Sequence, residues 1–224
     1  MTLPETVVPI LLLSLTVSLS ATALASLLGL PIGAALAVWR FPGRATLIIA
    51  INALLGLPPV VVGLALYLLL SYSGPLGRLQ LLFTPYAMIF AQALLAIPIV
   101  AAIAHRALET AWLRYGHAFL SLGFTRVRSL PHIFAIALAE VGTAVLAGFG
   151  RTISEVGAVL IVGGNIARST RTMTTAITLE TSEGNFSVAL TLGVILICIS
   201  VLVSTAAFFS AGGRRPGIVA EAGR

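Results

Sequence analysis

Long apolar stretches alternate with short polar connections along this chain. Five of them run at about 7–38, 46–70, 85–104, 133–162 and 186–209. Each reaches the roughly 20 apolar residues that a membrane-crossing helix needs. The pattern predicts an all-α, polytopic membrane protein with about five spans. The first and fourth stretches are longer than one crossing, which tilt or extension into water accommodates. Pro31, the pair Pro58-Pro59 and Pro98 are expected to interrupt the first three helices. Such breaks are tolerated in membrane helices when neighbours satisfy the freed carbonyls.

The most informative polar segment is 106–132, R-A-L-E-T-A-W-L-R-Y-G-H-A-F-L-S-L-G-F-T-R-V-R-S-L-P-H. It carries Arg106, Arg114, Arg126 and Arg128, yet Ala118, Phe119, Leu120 and Leu122 keep apolar groups in it. That mixture predicts a short amphipathic helix near 117–127, offered to a partner. The chain divides into a transmembrane unit over 1–211, with this loop at about 105–132, and a polar tail over 212–224 read as disordered.

Composition agrees with lipid as the solvent. Of 224 residues, 58% are hydrophobic and 9% charged, against about 25% charged in soluble domains. All thirteen basic residues are arginine, and aspartate is absent. The net charge of +6 does not mark a nucleic-acid binder, because the arginines sit between apolar spans and form no stripe with interleaved aromatics. The start M-T-L-P-E-T-V-V-P has no basic n-region, so the first stretch is read as a retained helix. Cys198 lies in an apolar run and reads as a small filler.

Arginine placement gives a direction. If the first span ends inside, Arg40, Arg44, Arg106, Arg114, Arg126, Arg128, Arg214, Arg215 and Arg224 lie inside, and Arg78, Arg168 and Arg171 outside. The positive-inside bias then places the N-terminus outside and the C-terminus in the cytoplasm.

Three places carry chemistry. Arg151 and Glu155 are four apart within the fourth span, where charges are rare unless paired or facing a wet cavity. Glu140, eleven residues upstream, falls near the same helix side. The glycine-dense run 147–164 suits a helix pressed against another, with a second copy of the chain as one such neighbour. The loop 163–183 offers turn N–H groups around Asn165, the charges of Arg168 and Arg171, and the hydroxyls of Thr170, Thr172, Thr174 and Thr175. A tetrahedral dianion is matched by such donors. Arg151, Glu155, Asn165, Arg168, Arg171 and Thr174 are therefore the candidates for an anion path or gate. His105, His117 and His132 are not at metal-ligand spacing. With no lysine there is no Walker lysine, and no Ser-His or paired-Asp set marks an intramembrane enzyme. No internal repeat of the kind common in secondary transporters stands out.

The polar segment resembles the signature loop of permease subunits of ATP-binding-cassette (ABC) importers: Glu-Ala-Ala, three residues, Gly, nine residues, Ile, one residue, Leu-Pro. His117-Ala118-Phe119, Gly123 and Ile133 keep that spacing, with His117 in place of the glutamate and Ala135-Ile136 in place of Leu-Pro. The string Gly150–Ala158 looks like the stretch that follows the loop in oxyanion importers. Leu57-Pro58-Pro59-Val60-Val61-Val62-Gly63-Leu64 and Ser73-Gly74-Pro75-Leu76-Gly77 are similar to molybdate, tungstate and sulfate permeases. Leu82-Phe83-Thr84-Pro85 with Ala91-Gln92, the run 161–166, and the threonine-rich string 170–181 look like the tungstate branch.

This resemblance implies a MetI-like permease, with tungstate the leading substrate and molybdate or sulfate the alternatives. It implies a homodimer in the inner membrane of a prokaryote, served by two cytoplasmic ATPase subunits and an extracytoplasmic binding protein. ATP and magnesium would be held by the ATPase, with no cofactor on this chain. The surface coupled to the ATPase would comprise His117, Ala118, Phe119, Leu120, Leu122, Gly123, Arg126 and Arg128.

Overall fold

The computed structural model describes residues 3–212; the expected tail beyond Gly212 lies outside them. The described residues form helices α1 (Leu3–Val38), α2 (Arg44–Leu54), α3 (Pro59–Leu70), α4 (Pro85–Ser121), α5 (Arg126–Ile136), α6 (Leu138–Ile153), α7 (Gly157–Gly163), α8 (Met173–Ser182) and α9 (Phe186–Gly212). α1, α4 and α9 are each long and apolar enough to cross a membrane. Two bent pairs, α2 with α3 at 100° and α5 with α6 at 78°, bring the total to five if each counts as one span.

α1 and α4 form the centre. Gly29 and Gly33, four apart on α1, face Ile97, Val100, Ala101 and Ala104 of α4. A Cβ at Gly33 would lie 2.9 Å from the backbone oxygen of Ala101 and the nitrogen of His105. This close approach replaces the hydrophobic driving force that lipid cannot supply. The contacts advance in the same direction along both helices, so α1 and α4 lie parallel. α6 returns antiparallel: Gly148 meets Val100, which Gly29 of α1 also meets, while Thr152 bonds Thr22 further back along α1.

Several expected spans differ in form. Pro31 and Pro98 do not interrupt their helices; α1 and α4 run through them as continuous elements of 36 and 37 residues. The second span does break, at 55–58, because Pro58 and Pro59 lack N–H groups and Pro58 adopts an extended backbone. The fourth span is three helices rather than one. It bends at Ala137 (φ −95°, ψ 22°), with no glycine or proline at the bend, and breaks again at 154–156.

Three glycines of 147–164 press on helices of the same chain. A Cβ at Gly148 would meet Val100 at 2.7 Å, one at Gly157 would meet Val60 at 2.9 Å, and one at Gly163 would meet Met88 at 3.0 Å.

Candidate functional site

One end of the bundle gathers the arginines grouped together by the sequence. Arg44 donates from Nε to the Leu36 carbonyl at 2.7 Å. Its Nη2 pairs with Glu109 and lies 3.3 Å from His105 Nε2. Arg126 Nη1 donates to the Val38 carbonyl at 3.1 Å. Two guanidiniums thus satisfy carbonyls in the last turn of α1, where cations are favoured. Arg106 donates to Asn52 Oδ1 at 3.0 Å, tying α4 to α2. The Arg44–His105–Glu109 cluster was not anticipated from the sequence, because Arg44 lies 61 residues before His105.

The expected separate helix at 117–127 is a corner instead. Nothing between Pro98 and Gly123 breaks a helix, so α4 carries His117, Ala118, Phe119 and Leu120 to its end at Ser121. Gly123 (φ 83°) then reverses the chain. Phe124 N–H donates to the Phe119 carbonyl at 3.0 Å and Gly123 N–H to the Leu120 carbonyl at 3.0 Å, closing the helix through a left-handed residue that glycine adopts without strain. Thr125 starts α5, its hydroxyl accepting from Arg128 N–H at 3.3 Å. His132 stacks on Phe119 with ring centres 5.5 Å apart, and Phe124 packs edge-on to both. The corner is therefore rigid, and it leaves Leu122 75% and Val127 63% exposed at its tip.

Arg151 and Glu155 are four apart but not on one helix: Arg151 lies in the last turn of α6, and Glu155 in the break before α7. Arg151 Nη2 lies 3.3 Å from Glu155 Oε2, with side chains 31% and 3% exposed. Glu155 Oε1 accepts from Ala158 N–H at 3.0 Å, and the Glu155 carbonyl accepts from Thr174 Oγ1 at 2.9 Å.

The break is anchored to α1. Thr22 and Thr152 hydroxyls are 2.9 Å apart, and Thr152 Oγ1 also lies 3.2 Å from the Ser18 carbonyl. One turn earlier along α1 than Ser18, Ser14 Oγ accepts from Met173 N–H at 2.7 Å. Thr22 precedes Val38 by sixteen residues, about 24 Å along the helix, so the break lies beside the apolar length of α1, well away from the arginine cluster. Gln92 of α4 is buried beside this hydroxyl ladder, lining a gap with Ser14, Ser18, Thr172 and Thr174 that is too narrow to admit a water. Its Oε1 has no hydrogen-bond partner. The spacing of Ser14, Ser18 and Thr22, one helical turn apart, is the signal that could have found the ladder.

The outer face of α6 completes this region. Glu140, Thr143, Gly150 and Ser154 are exposed, with Arg151 on the same side. Glu140 and Arg151 do share a helix face, as their spacing predicts. A polar stripe of this kind cannot lie against acyl chains without a large penalty.

At the opposite end, Phe83 N–H donates to the Val162 carbonyl at 2.9 Å, and the Phe83 ring crowds Gly164 (φ 71°). Asn165 (φ 50°) and Arg168 (φ 62°) also take left-handed conformations. Arg168 is exposed, whereas Arg171 reaches back to the Asn165 carbonyl at 3.5 Å. The threonines are engaged internally. Thr170 Oγ1 donates to the Gly163 carbonyl, Thr172 and Thr175 form the capping box of α8, and Thr174 holds Glu155. Of the six path candidates, the fold unites Arg151, Glu155 and Thr174 at the break and sets Asn165, Arg168 and Arg171 apart at the loop. No group of histidine, cysteine or acidic residues fit for a metal ion occurs among the described residues.

No family model matches the chain. It is 43% identical to a probable anion ABC transporter permease of Haloferax volcanii, over 86% of this chain and 85% of that protein. It is 37% identical to the tungstate uptake permease TupB of Peptoclostridium acidaminophilum, over 87% and 86%. It is 31% identical to the molybdenum transport permease ModB of Azotobacter vinelandii, over 72% and 77%. With such identity spread over most of each chain, and with this multi-pass helical fold, the protein belongs to the anion-transporting permease subunits of ABC transporters.

Proposed function

We propose that this chain is the membrane-spanning subunit of an ATP-driven oxyanion importer, with tungstate as its cargo. The observation that carries the reading is the polar face of α6, Glu140 to Ser154 with Arg151, exposed within a segment apolar enough to count as a membrane span. Two copies facing each other across these stripes enclose a path with one cation from each chain. Arg168 and Arg171 stand at one mouth. The identity to two tungstate permeases, 37% and 40%, supports tungstate over molybdate or sulfate.

At the other mouth the corner at Leu122 and Val127, flanked by His117, Ala118, Leu120 and Arg128, is the handle for a soluble ATPase. An apolar tip on a rigid turn fits a groove and transmits rigid-body motion. On this reading the corner and the arginines around it face the cytoplasm, and the N-terminus lies outside. An extracytoplasmic binding protein delivers the anion.

The test is uptake by proteoliposomes holding this permease, its ATPase and its binding protein. Labelled tungstate should enter only with ATP, and unlabelled tungstate should compete more strongly than molybdate or sulfate. Stronger competition by molybdate or sulfate reassigns the cargo. Uptake without the ATPase overturns the reading.

A further inference from the structure

We propose that Glu155 is a resident counter-anion, which the transported oxyanion displaces from Arg151 during passage and which takes Arg151 back afterwards. The proposal rests on the oxyanion-permease reading and goes beyond it by assigning a mechanism to the pair.

The two partners are held differently. Glu155 is buried at 3% exposure and fixed twice, through Ala158 N–H on its carboxylate and Thr174 Oγ1 on its carbonyl. Arg151 is attached to it by a single contact at 3.3 Å and is 31% exposed. Among the described residues its guanidinium makes no other ion pair or hydrogen bond, so most of its donors remain available for an anion. The surface beside it is open: a Cβ at Gly150 would meet nothing within 4 Å. A flexible cation beside a fixed carboxylate can change partners, and the fixed carboxylate keeps one charge-assisted hydrogen bond when it does.

The energetics favour exchange over a static pair or a bare cation. An unpaired charge within a membrane span is strongly unfavourable. A bare Arg151 would hold a dianion too tightly, and permeation requires binding weak enough to release. Competition between two anions for one guanidinium makes arrival and departure nearly balanced. The site passes from neutral to a net charge of −2 while the dianion is held and returns to neutral when it leaves, with no proton moved. Glu140 at the other end of the stripe repels an anion, which leaves Arg151 as the attractive point.

The experiment uses the full importer in proteoliposomes, with tungstate uptake measured against the concentration of loaded binding protein. In Glu155→Gln the competitor is gone and release slows, so kcat and KM should fall together, about fivefold each. Glu155→Asp, which keeps the charge but shortens the reach, should shift both in the same direction and serves if the glutamine variant does not assemble. Arg151→Gln should lose at least tenfold in kcat/KM. The charge-exchanged double variant, Arg151→Glu with Glu155→Arg, should recover the thermal stability of the complex without recovering uptake. Recovery of uptake by the double variant overturns the proposal, as does a fall in kcat at unchanged KM in both Glu155 variants, because either marks a merely structural pair. Failure of the wild-type complex to import any oxyanion overturns the functional reading itself, whereas the variant pattern in an active complex decides the exchange alone.

Discussion

Arg126 donates a hydrogen bond to the carbonyl of Val38 across 88 residues of sequence, at 3.1 Å. It fastens the start of α5 to the end of α1, so the corner that presents Leu122 cannot move without α1. The neighbouring Arg128 engages its turn only through its backbone N–H. Arg126→Gln should therefore cost about 1 kcal/mol, read as a lowered thermal midpoint of the detergent-solubilised permease. Arg128→Gln should leave the midpoint unchanged. Equal shifts in the two variants would contradict the assignment.

Leu122 is 75% exposed at the tip of the corner and makes little packing contact within the chain. Leu122→Ser should leave the thermal midpoint of the isolated permease intact and sharply reduce co-purification of the ATPase. Undiminished capture of the ATPase would move the docking surface elsewhere.

Gly33 and Gly150 make a paired test of helix contact. Gly33→Ala drives a methyl group against backbone atoms of α4 at 2.9 Å, which should cost about 1–3 kcal/mol. Gly150→Ala adds the same methyl group in open space and should be neutral or slightly stabilising. Thermal unfolding of the two variants, side by side, checks the difference.

Thr152 is fully buried and bonded to α1 through Thr22 and the Ser18 carbonyl. Thr152→Val keeps the shape and removes the hydroxyl, leaving Thr22 with its bond to the Ser18 carbonyl. The expected loss is about 1 kcal/mol of stability, together with slower uptake if the break in the fourth span is held in place by this ladder. An unchanged thermal midpoint would show that the ladder is not holding it.

The spans were legible because twenty apolar residues admit few readings. The ion pair was legible because Arg151 and Glu155 are four apart and have few alternatives in lipid. Gly123 was legible through its motif spacing, and its positive φ supplies the reason. The breaks were less so. Pro58-Pro59 breaks its helix whereas Pro31 and Pro98 do not, because a proline inside a packed membrane helix can be tolerated where two in succession beside Gly56 cannot. The bend at Ala137 and the gap at 154–156 depend on what packs around them, and no local residue announces either. Arg126 illustrates the same limit: read alone, it is a loop charge available to a partner, yet a carbonyl 88 positions away claims it.

α4 has 37 residues, so it measures about 55 Å against a hydrocarbon layer of about 30 Å. One stiff rod thus joins Met88, beneath Gly163 at one end of the bundle, to Phe119 in the corner. Rotating such a lever by about 5° carries its far tip about 5 Å. Under the proposed function, a small tilt imposed at the corner becomes a displacement wide enough to open or shut an aperture for an ion, with no unfolding anywhere along the shaft.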